Sequence, residues 1–195
     1  MLLNLFNEKP WVSIGCWAAF FCVDYALTLS GARMYQAKAG KHYLFSGGYE
    51  LNEFFKDDIA RLRPFSFRFF LMLLFVVGLM LISFVVGPEI FELTWGMFIG
   101  LQLSVLFRHI LNLTLFYYAS RSAGIEGRIQ IEHWLSLRLA AIESLAFSLV
   151  FIAIYFLADK TFLLGGAAGC LLLAHRLLAD SYQQRKASVS SPKDG

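Results

Sequence analysis

Charged and amide side chains lie inside apolar stretches of this 195-residue chain, where such groups are costly and are usually paired or functional. Asp24 lies in the first stretch, Arg108, His109 and Asn112 in the third, and Glu143 in the fourth. At a rise of about 1.5 Å per helical residue, all of them fall near mid-stretch and so at similar depth. Carboxylates there attract or exchange a cation or proton, arginine holds an anion or tunes a carboxylate pKa, and histidine and asparagine supply hydrogen bonds. The pattern predicts one polar cluster in which Arg108 pairs with Asp24, Glu143 or both.

The same residues also have a structural interpretation, because a buried ion pair can fix helix register without any ligand. No metal-ligand spacing such as His-Glu-x-x-His occurs, and Arg108 beside His109 opposes a bound cation, so we predict no metal site. No phosphate-binding loop, dinucleotide fingerprint or nucleophile elbow occurs either, so no cofactor is predicted. Whether the chain is an enzyme stays open.

A second polar group connects the first stretch to the loop that follows it. Asp24 and Thr28 are four residues apart on one helix face, and the loop contains Gly48-Tyr49-Glu50-Leu51-Asn52. This combination resembles a family of small prokaryotic multi-pass membrane proteins of unknown function. Their first span carries Asp-x-x-x-Thr and their next loop carries Gly-x-x-Glu-x-Asn-Pro, although Glu53 replaces the proline here.

The resemblance covers about thirty residues and implies that Asp24, Thr28, Glu50 and Asn52 form one unit. A flexible loop after the first span can fold back beneath the helices and bring Glu50 and Asn52 toward Asp24. The structural alternative is that Asn52 caps a following helix and Glu50 lies at its positive end.

Five apolar stretches have the length of about 20 residues that a membrane-spanning helix needs. They cover residues 10–29, 65–87, 93–119, 135–158 and 161–179, and the first helix continues toward a glycine stop at Gly40. Apolar residues at helical spacing predict an amphipathic surface helix over residues 50–63. The polar tail 181–195 is predicted to be disordered. The expected fold is all-α: one membrane domain, residues 1–180, with five transmembrane helices and one cytoplasmic surface helix.

Composition agrees with that class, since 58% of residues are hydrophobic, 16% are charged and the mean hydropathy is +0.60. These values exclude an ordinary soluble domain and a disordered chain. With the amino terminus outside, Lys9 and Lys160 are the two outer basic residues, whereas eleven lie on the cytoplasmic side: Arg33, Lys38, Lys41, Lys56, Arg61, Arg63, Arg121, Arg128, Arg185, Lys186 and Lys193. We therefore expect a plasma-membrane protein with a cytoplasmic carboxyl terminus. This asymmetry explains the net charge of +3 without a nucleic-acid partner.

Three function classes follow from these features. The leading one is a small transporter, with an inward-facing cavity lined by the polar residues above, that binds a small polar or ionic solute or relays protons. The second is a membrane enzyme acting on lipid or isoprenoid substrates at the inner leaflet. The third is a structural or assembly subunit. Besides the lipid bilayer and a solute, a second copy is a possible partner through the small-residue pairs Gly96/Gly100 or Gly165/Gly169, which otherwise pack internally.

Overall fold

The computed structural model describes residues 9–46, 50–121 and 127–190, with side chains described to residue 188. Five of its helices are long and apolar enough to cross a membrane, which confirms the mostly helical fold and the number of candidate spans predicted for these residues. The elements, in chain order, are α1 (Pro10–Ala37), a 3-10 turn (Ala39–Lys41), β1 (Tyr43–Phe45), α2 (Lys56–Ala60), α3 (Phe67–Val86), α4 (Pro88–Ser120), β2 (Ile129–Ile131), α5 (His133–Ala158) and α6 (Thr161–Ser190).

Helix α4 is the centre of the bundle and packs against each of the other four long helices. Two tight turns fix the up-and-down path: Gly87 alone separates α3 from α4, and Asp159 and Lys160 separate α5 from α6. Asp159 has φ 45°, a left-handed conformation that ends α5. The carboxyl ends of α1, α4 and α6 therefore lie at the same end of the bundle as the amino ends of α3 and α5. We call this the loop end.

Helices α4 and α6 touch through glycines in the half of the bundle away from the loop end. A Cβ atom at Gly96 would lie 2.0 Å from the Phe162 carbonyl oxygen, and one at Gly165 would lie 2.0 Å from the Leu93 carbonyl oxygen. Gly100 and Gly169 face the opposite backbone just as closely, at 2.6 and 2.2 Å. Close backbone approach of this kind is what small residues permit between helices in lipid. Both pairs pack inside the chain, which is the internal-packing alternative, and contact with a second copy stays a prediction.

The loop end carries a short parallel strand pair that the all-α prediction missed. Tyr43 pairs with Ile129 and Phe45 with Ile131. The flanking backbone extends the pair, since Ile129 N–H donates to His42 O at 2.8 Å and Ser46 N–H to Ile131 O at 3.0 Å. Three-residue strands from loops far apart in sequence leave no periodic signal. The pair ties the loop after α1 to the loop after α4.

The continuous surface helix expected over residues 50–63 is not formed. Glu50 Oε1 accepts a hydrogen bond from Asn52 N–H at 2.8 Å, and Asn52 Oδ1 accepts one from Phe54 N–H at 3.1 Å. Such side-chain bonds to nearby backbone compete with helix formation. Only α2, five residues long, is helical, and Leu62 at φ 52° turns the chain toward α3.

The tail beyond residue 180 also differs from the prediction of disorder, because α6 continues to Ser190. Ser181 Oγ donates to the Trp134 carbonyl oxygen at 2.8 Å, and the Arg185 guanidinium lies 5.3 Å from the Trp134 ring centroid. These contacts hold the polar extension of α6 against the start of α5. The remaining five residues of the predicted tail, 191–195, are outside the described part of the chain.

Candidate functional site

A cavity of about 460 Å³ extends from the level of Trp17 on α1 and Phe98 on α4 toward the loop end. Helix α1 forms one wall, α5 and α6 form the opposite wall, α4 runs along the side between them, and the segment 50–55 closes part of the loop end. The volume lies within the range of about 300–1,000 Å³ typical of small-molecule sites. All eight residues singled out from the sequence line it: Asp24, Thr28, Glu50, Asn52, Arg108, His109, Asn112 and Glu143.

Helical spacing explains why these residues share one space. On α1, the cavity side chains are Trp17, Phe21, Asp24, Tyr25 and Thr28, whose spacings of 4, 3, 1 and 3 residues trace a single helix face. On α4, the lining residues from Phe98 to Leu115 follow one another at spacings of 3, 1, 3, 3, 1, 3 and 3 residues, which again trace a single helix face. The polar groups are therefore presented by faces that are otherwise apolar.

Arg108 and Glu143 form the central ion pair between α4 and α5. Arg108 Nε donates to Glu143 Oε2 at 3.0 Å, and Arg108 Nη2 donates to the Ala140 carbonyl oxygen at 3.1 Å. Of the two partners proposed from the sequence, Glu143 is the one in direct contact with Arg108. Both hydrogen bonds hold the guanidinium against α5.

Asp24, Thr28 and His109 form a second polar contact between α1 and α4. The Thr28 hydroxyl donates to the Asp24 carbonyl oxygen at 2.9 Å and lies 3.1 Å from His109 Nε2. Because that hydroxyl proton is already used, Nε2 must be the donor to Thr28 and must carry a hydrogen. Asp24 Oδ1 lies 3.5 Å from the same Nε2, yet it is buried and makes no hydrogen bond of good geometry within the described residues.

The segment after β1 places Glu50 and Asn52 against the cavity, as the loop hypothesis proposed. Burial raises the pKa of the Glu50 carboxyl from 4.5 to about 7, the hydrogen bond from Asn52 N–H opposes the shift, and the Asp24 charge adds to it. The positive charge of Arg108 acts in the lowering direction. Glu50 is thus electrostatically coupled to residues of both α1 and α4. Its proton occupancy changes near neutral pH.

Acidic side chains outnumber basic ones among the described residues that line the cavity. Arg108 is paired with Glu143, and the exposed Arg176 lies 3.8 Å from Asp180 at the loop end of α6. Asp24 and Glu50 are left without a permanently charged partner in direct contact. The cavity therefore has an acidic centre.

Aromatic rings cover the α1 side of the cavity beside the carboxylates. Trp17 stacks on Phe21 with centroids 5.2 Å apart, and Tyr25 contacts Phe55 at 6.2 Å. Phe69, on α3, stacks against Phe21 with ring centroids 4.7 Å apart, so α3 packs against this wall. The site consequently offers a rigid aromatic surface next to ionisable oxygens.

Sequence reasoning missed part of this lining. The aromatic stripe at residues 17, 21 and 25 has a readable four-residue period and includes Asp24 within its arc, so it could have been found. Gln102, a polar residue inside the third apolar stretch, is by contrast predictable from the sequence and lines the cavity as well. Ser136, whose buried hydroxyl has no hydrogen-bond partner in the described part of the chain, sits near a helix start and gives no sequence signal. The polar cavity is thus larger than the eight residues alone indicate.

Comparisons with family models, curated proteins and solved structures found no match to this chain. Among the described residues, no group of three or more His, Cys, Asp or Glu side chains is arranged to hold a metal ion. The cavity combines an acidic centre, an arginine paired with a glutamate, and an aromatic wall.

Proposed function

We propose that this protein is a multi-pass membrane transporter whose cavity binds a small polar or ionic solute or passes protons. In this account the five long helices cross the plasma membrane with the amino terminus outside, so the loop end and the cavity mouth face the cytoplasm. The proposal is supported mainly by one observation: Asp24 and Glu50 line the same cavity, and neither contacts a permanent cation among the described residues. Carboxylates held in this way can take up and release a proton or a cation.

The layout of the bundle supports an inward-open form. Glycine contacts between α4 and α6 bring the backbones together in the half away from the loop end, whereas the charged residues that line the cavity lie nearer the loop end. Arg176 and Asp180 are exposed where α6 leaves the cavity, which gives the loop end a polar mouth. A solute entering from the cytoplasm would meet Glu50 and Asn52 first and then Asp24.

Proton flux in reconstituted vesicles tests the proposal. The purified chain is placed in liposomes that contain a pH-sensitive dye, and a potassium diffusion potential supplies the driving force. We expect flux above that of protein-free vesicles, and we expect Asp24→Asn to abolish it because the amide cannot carry the proton. Asp159→Asn is the matched control, since this carboxylate lies in the α5–α6 turn away from the cavity and asparagine tolerates its left-handed backbone. Equal flux from wild type and Asp24→Asn would contradict the proposal.

A membrane enzyme acting on lipid or isoprenoid substrates is the second candidate. The contact of His109 with Thr28 and Asp24, beside a long apolar wall, favours it because an imidazole and a carboxylate can exchange protons with a bound polar head. Incubation of the protein with inner-membrane lipid extract distinguishes the two. Time-dependent conversion of a lipid that is lost in His109→Gln would favour the enzyme, whereas unchanged lipids alongside proton flux favour transport.

A further inference from the structure

We infer that the solute bound in this cavity is an amphipathic organic cation: an apolar, preferably aromatic body carrying one positive charge. This deepens the proposed function by naming its substrate class, and it rests on that proposal for the transport step only. The binding claim depends on three features of the cavity wall: its charge, its aromatic surface and its size.

The charged groups that line the cavity indicate the sign of the ligand's charge. The guanidinium of Arg108 is hydrogen-bonded to Glu143 and to the Ala140 carbonyl oxygen, so it offers little to an incoming anion. Asp24 Oδ1 is buried without a hydrogen bond of good geometry among the described residues, and a cationic group beside it would satisfy it. An anionic ligand would instead lie beside the carboxyl groups of Asp24 and Glu50, which repel it whenever they are ionised. The cavity therefore favours a cation.

The aromatic surface of the cavity indicates that the uncharged part of the ligand is apolar. Trp17, Phe21 and Tyr25 lie on the α1 face that also carries Asp24, with Phe55 opposite Tyr25. Phe21 is stacked between Trp17 and Phe69 and so adds apolar surface, whereas an aromatic face that the cation can reach attracts it through the ring quadrupole. A small hydrated ion such as Na⁺ would gain no contact with this wall. An organic cation fills both parts of the site at once.

Size is consistent with the same class. A cavity of about 460 Å³ holds a ligand of drug-like size but is far larger than a single inorganic ion needs. The mixture of a mainly apolar lining with a few placed polar groups is typical of small-molecule sites. A proton would bind only to the carboxylates and would make no contact with the aromatic wall.

Tetraphenylphosphonium and tetraphenylborate give a direct test, because the two ions have nearly the same shape and opposite charge. Binding to the detergent-purified full chain is measured by calorimetry and by quenching of tryptophan fluorescence. We expect saturable binding of the phosphonium with little or none of the borate. We expect roughly tenfold weaker phosphonium binding in Asp24→Asn, the loss of one charge contact at a partly dehydrated site.

Three controls keep the test specific. Asp159→Asn should bind like wild type, since Asp159 lies outside the cavity. Trp17→Phe should keep most of the affinity and lose the largest part of the quenching, whereas Trp17→Ala should lose both. Circular dichroism and size-exclusion profiles identify variants that fail to fold, and Glu50→Gln then supplies a second neutralised carboxylate to compare.

Equal binding of the two ions, or phosphonium binding that neither neutralising variant weakens, would overturn the inference. The proton-flux assay is a separate measurement, so the two ideas can fail separately. Proton flux without phosphonium binding would support the transporter proposal and contradict an organic cation as the substrate. Binding without flux would leave the organic-cation site and remove transport.

Discussion

The pair formed by Arg108 and Glu143 joins two helices by a charge-assisted hydrogen bond of 3.0 Å. Removing one partner leaves the other charge uncompensated inside the bundle, which is more costly than losing both. We expect Arg108→Gln to lower the free energy of unfolding by about 2 kcal/mol, less than a fully buried pair would cost because 31% of the Glu143 side chain is exposed.

The double variant Arg108→Gln with Glu143→Gln is the matched comparison for that prediction. Two amides can hydrogen-bond to each other and carry no charge, so the double variant should recover part of the loss. Unfolding in mixed micelles, followed by circular dichroism, measures all four proteins of the cycle. Losses that simply add in the double variant would mean that the two side chains do not stabilise each other.

Glu50 gives a pH prediction with a definite sign. Burial raises the pKa of this carboxyl from 4.5 to about 7 in the folded protein. A carboxyl whose pKa is raised by folding favours the folded state while it is protonated, and that contribution is lost as the pH rises through the folded value. Between about pH 4.5 and 7 the wild type should therefore lose stability relative to Glu50→Gln.

Thermal unfolding of wild type and Glu50→Gln in detergent, across pH 4.5 to 8, measures this difference. The neighbouring charges of Asp24 and Arg108 are present in both proteins, so they contribute to both curves. The gap between the two melting temperatures should widen in favour of the variant as pH increases. Parallel curves would show that Glu50 titrates normally and is not confined in the cavity wall.

The contact between α4 and α6 carries the element-scale prediction. A methyl group at Gly96 or Gly165 would overlap a backbone carbonyl oxygen at 2.0 Å, and a backbone cannot move aside as a flexible side chain can. Gly96→Ala and Gly165→Ala should each separate the helices and cost about 1–3 kcal/mol, the usual penalty of overpacking.

Gly78 is the matched control for these alanine variants. It lies in α3, and a Cβ there would meet nothing within 4 Å. Gly78→Ala should leave stability unchanged or raise it by up to about 1 kcal/mol, because alanine is the better helix former. If all three variants behave alike in detergent unfolding, the close approach of α4 and α6 is not what holds the two helices together.

The long helices were predictable because each is a run of apolar residues of membrane-spanning length, and such runs need no knowledge of neighbours. The structure of segment 50–63 was not predictable in this way. Its apolar residues have helical spacing, but the side chains of Glu50 and Asn52 accept hydrogen bonds from nearby backbone N–H groups, and these bonds compete with a helix. The strands β1 and β2 depend on a pairing between distant loops, and no local pattern encodes such a pairing.

At the scale of the whole molecule, matched depth along the spans was enough to predict that Asp24, Arg108, His109 and Glu143 belong together. The depth of a residue along its span does not say which way its side chain points around the helix axis. The sequence therefore could not decide whether Arg108 pairs with Asp24 or Glu143, and the structure shows the pair with Glu143. The aromatic wall and Ser136 line the site because their helices turn those faces toward the cavity. The cavity is a property of the assembled bundle.

Cysteine accessibility tests most directly whether these helices share one acidic cavity that water can reach. In a background with Cys16, Cys22 and Cys170 replaced by alanine, cysteine is introduced at Asn112 or Ser136, half-buried positions on α4 and α5 that line the cavity. Leu74→Cys, on the exposed apolar side of α3 and near the middle of that helix, is the control. Each variant in liposomes is treated with a cationic and an anionic methanethiosulfonate of similar size.

We expect Asn112→Cys and Ser136→Cys to react with both reagents, and to favour the cationic one more than a free thiol in solution does. Neutralising Asp24 and Glu50 should reduce that preference, and Leu74→Cys should stay unreactive in the bilayer because its thiol cannot ionise in lipid. Cavity cysteines that resist both reagents, or a charge preference that persists without the two carboxylates, would contradict the account.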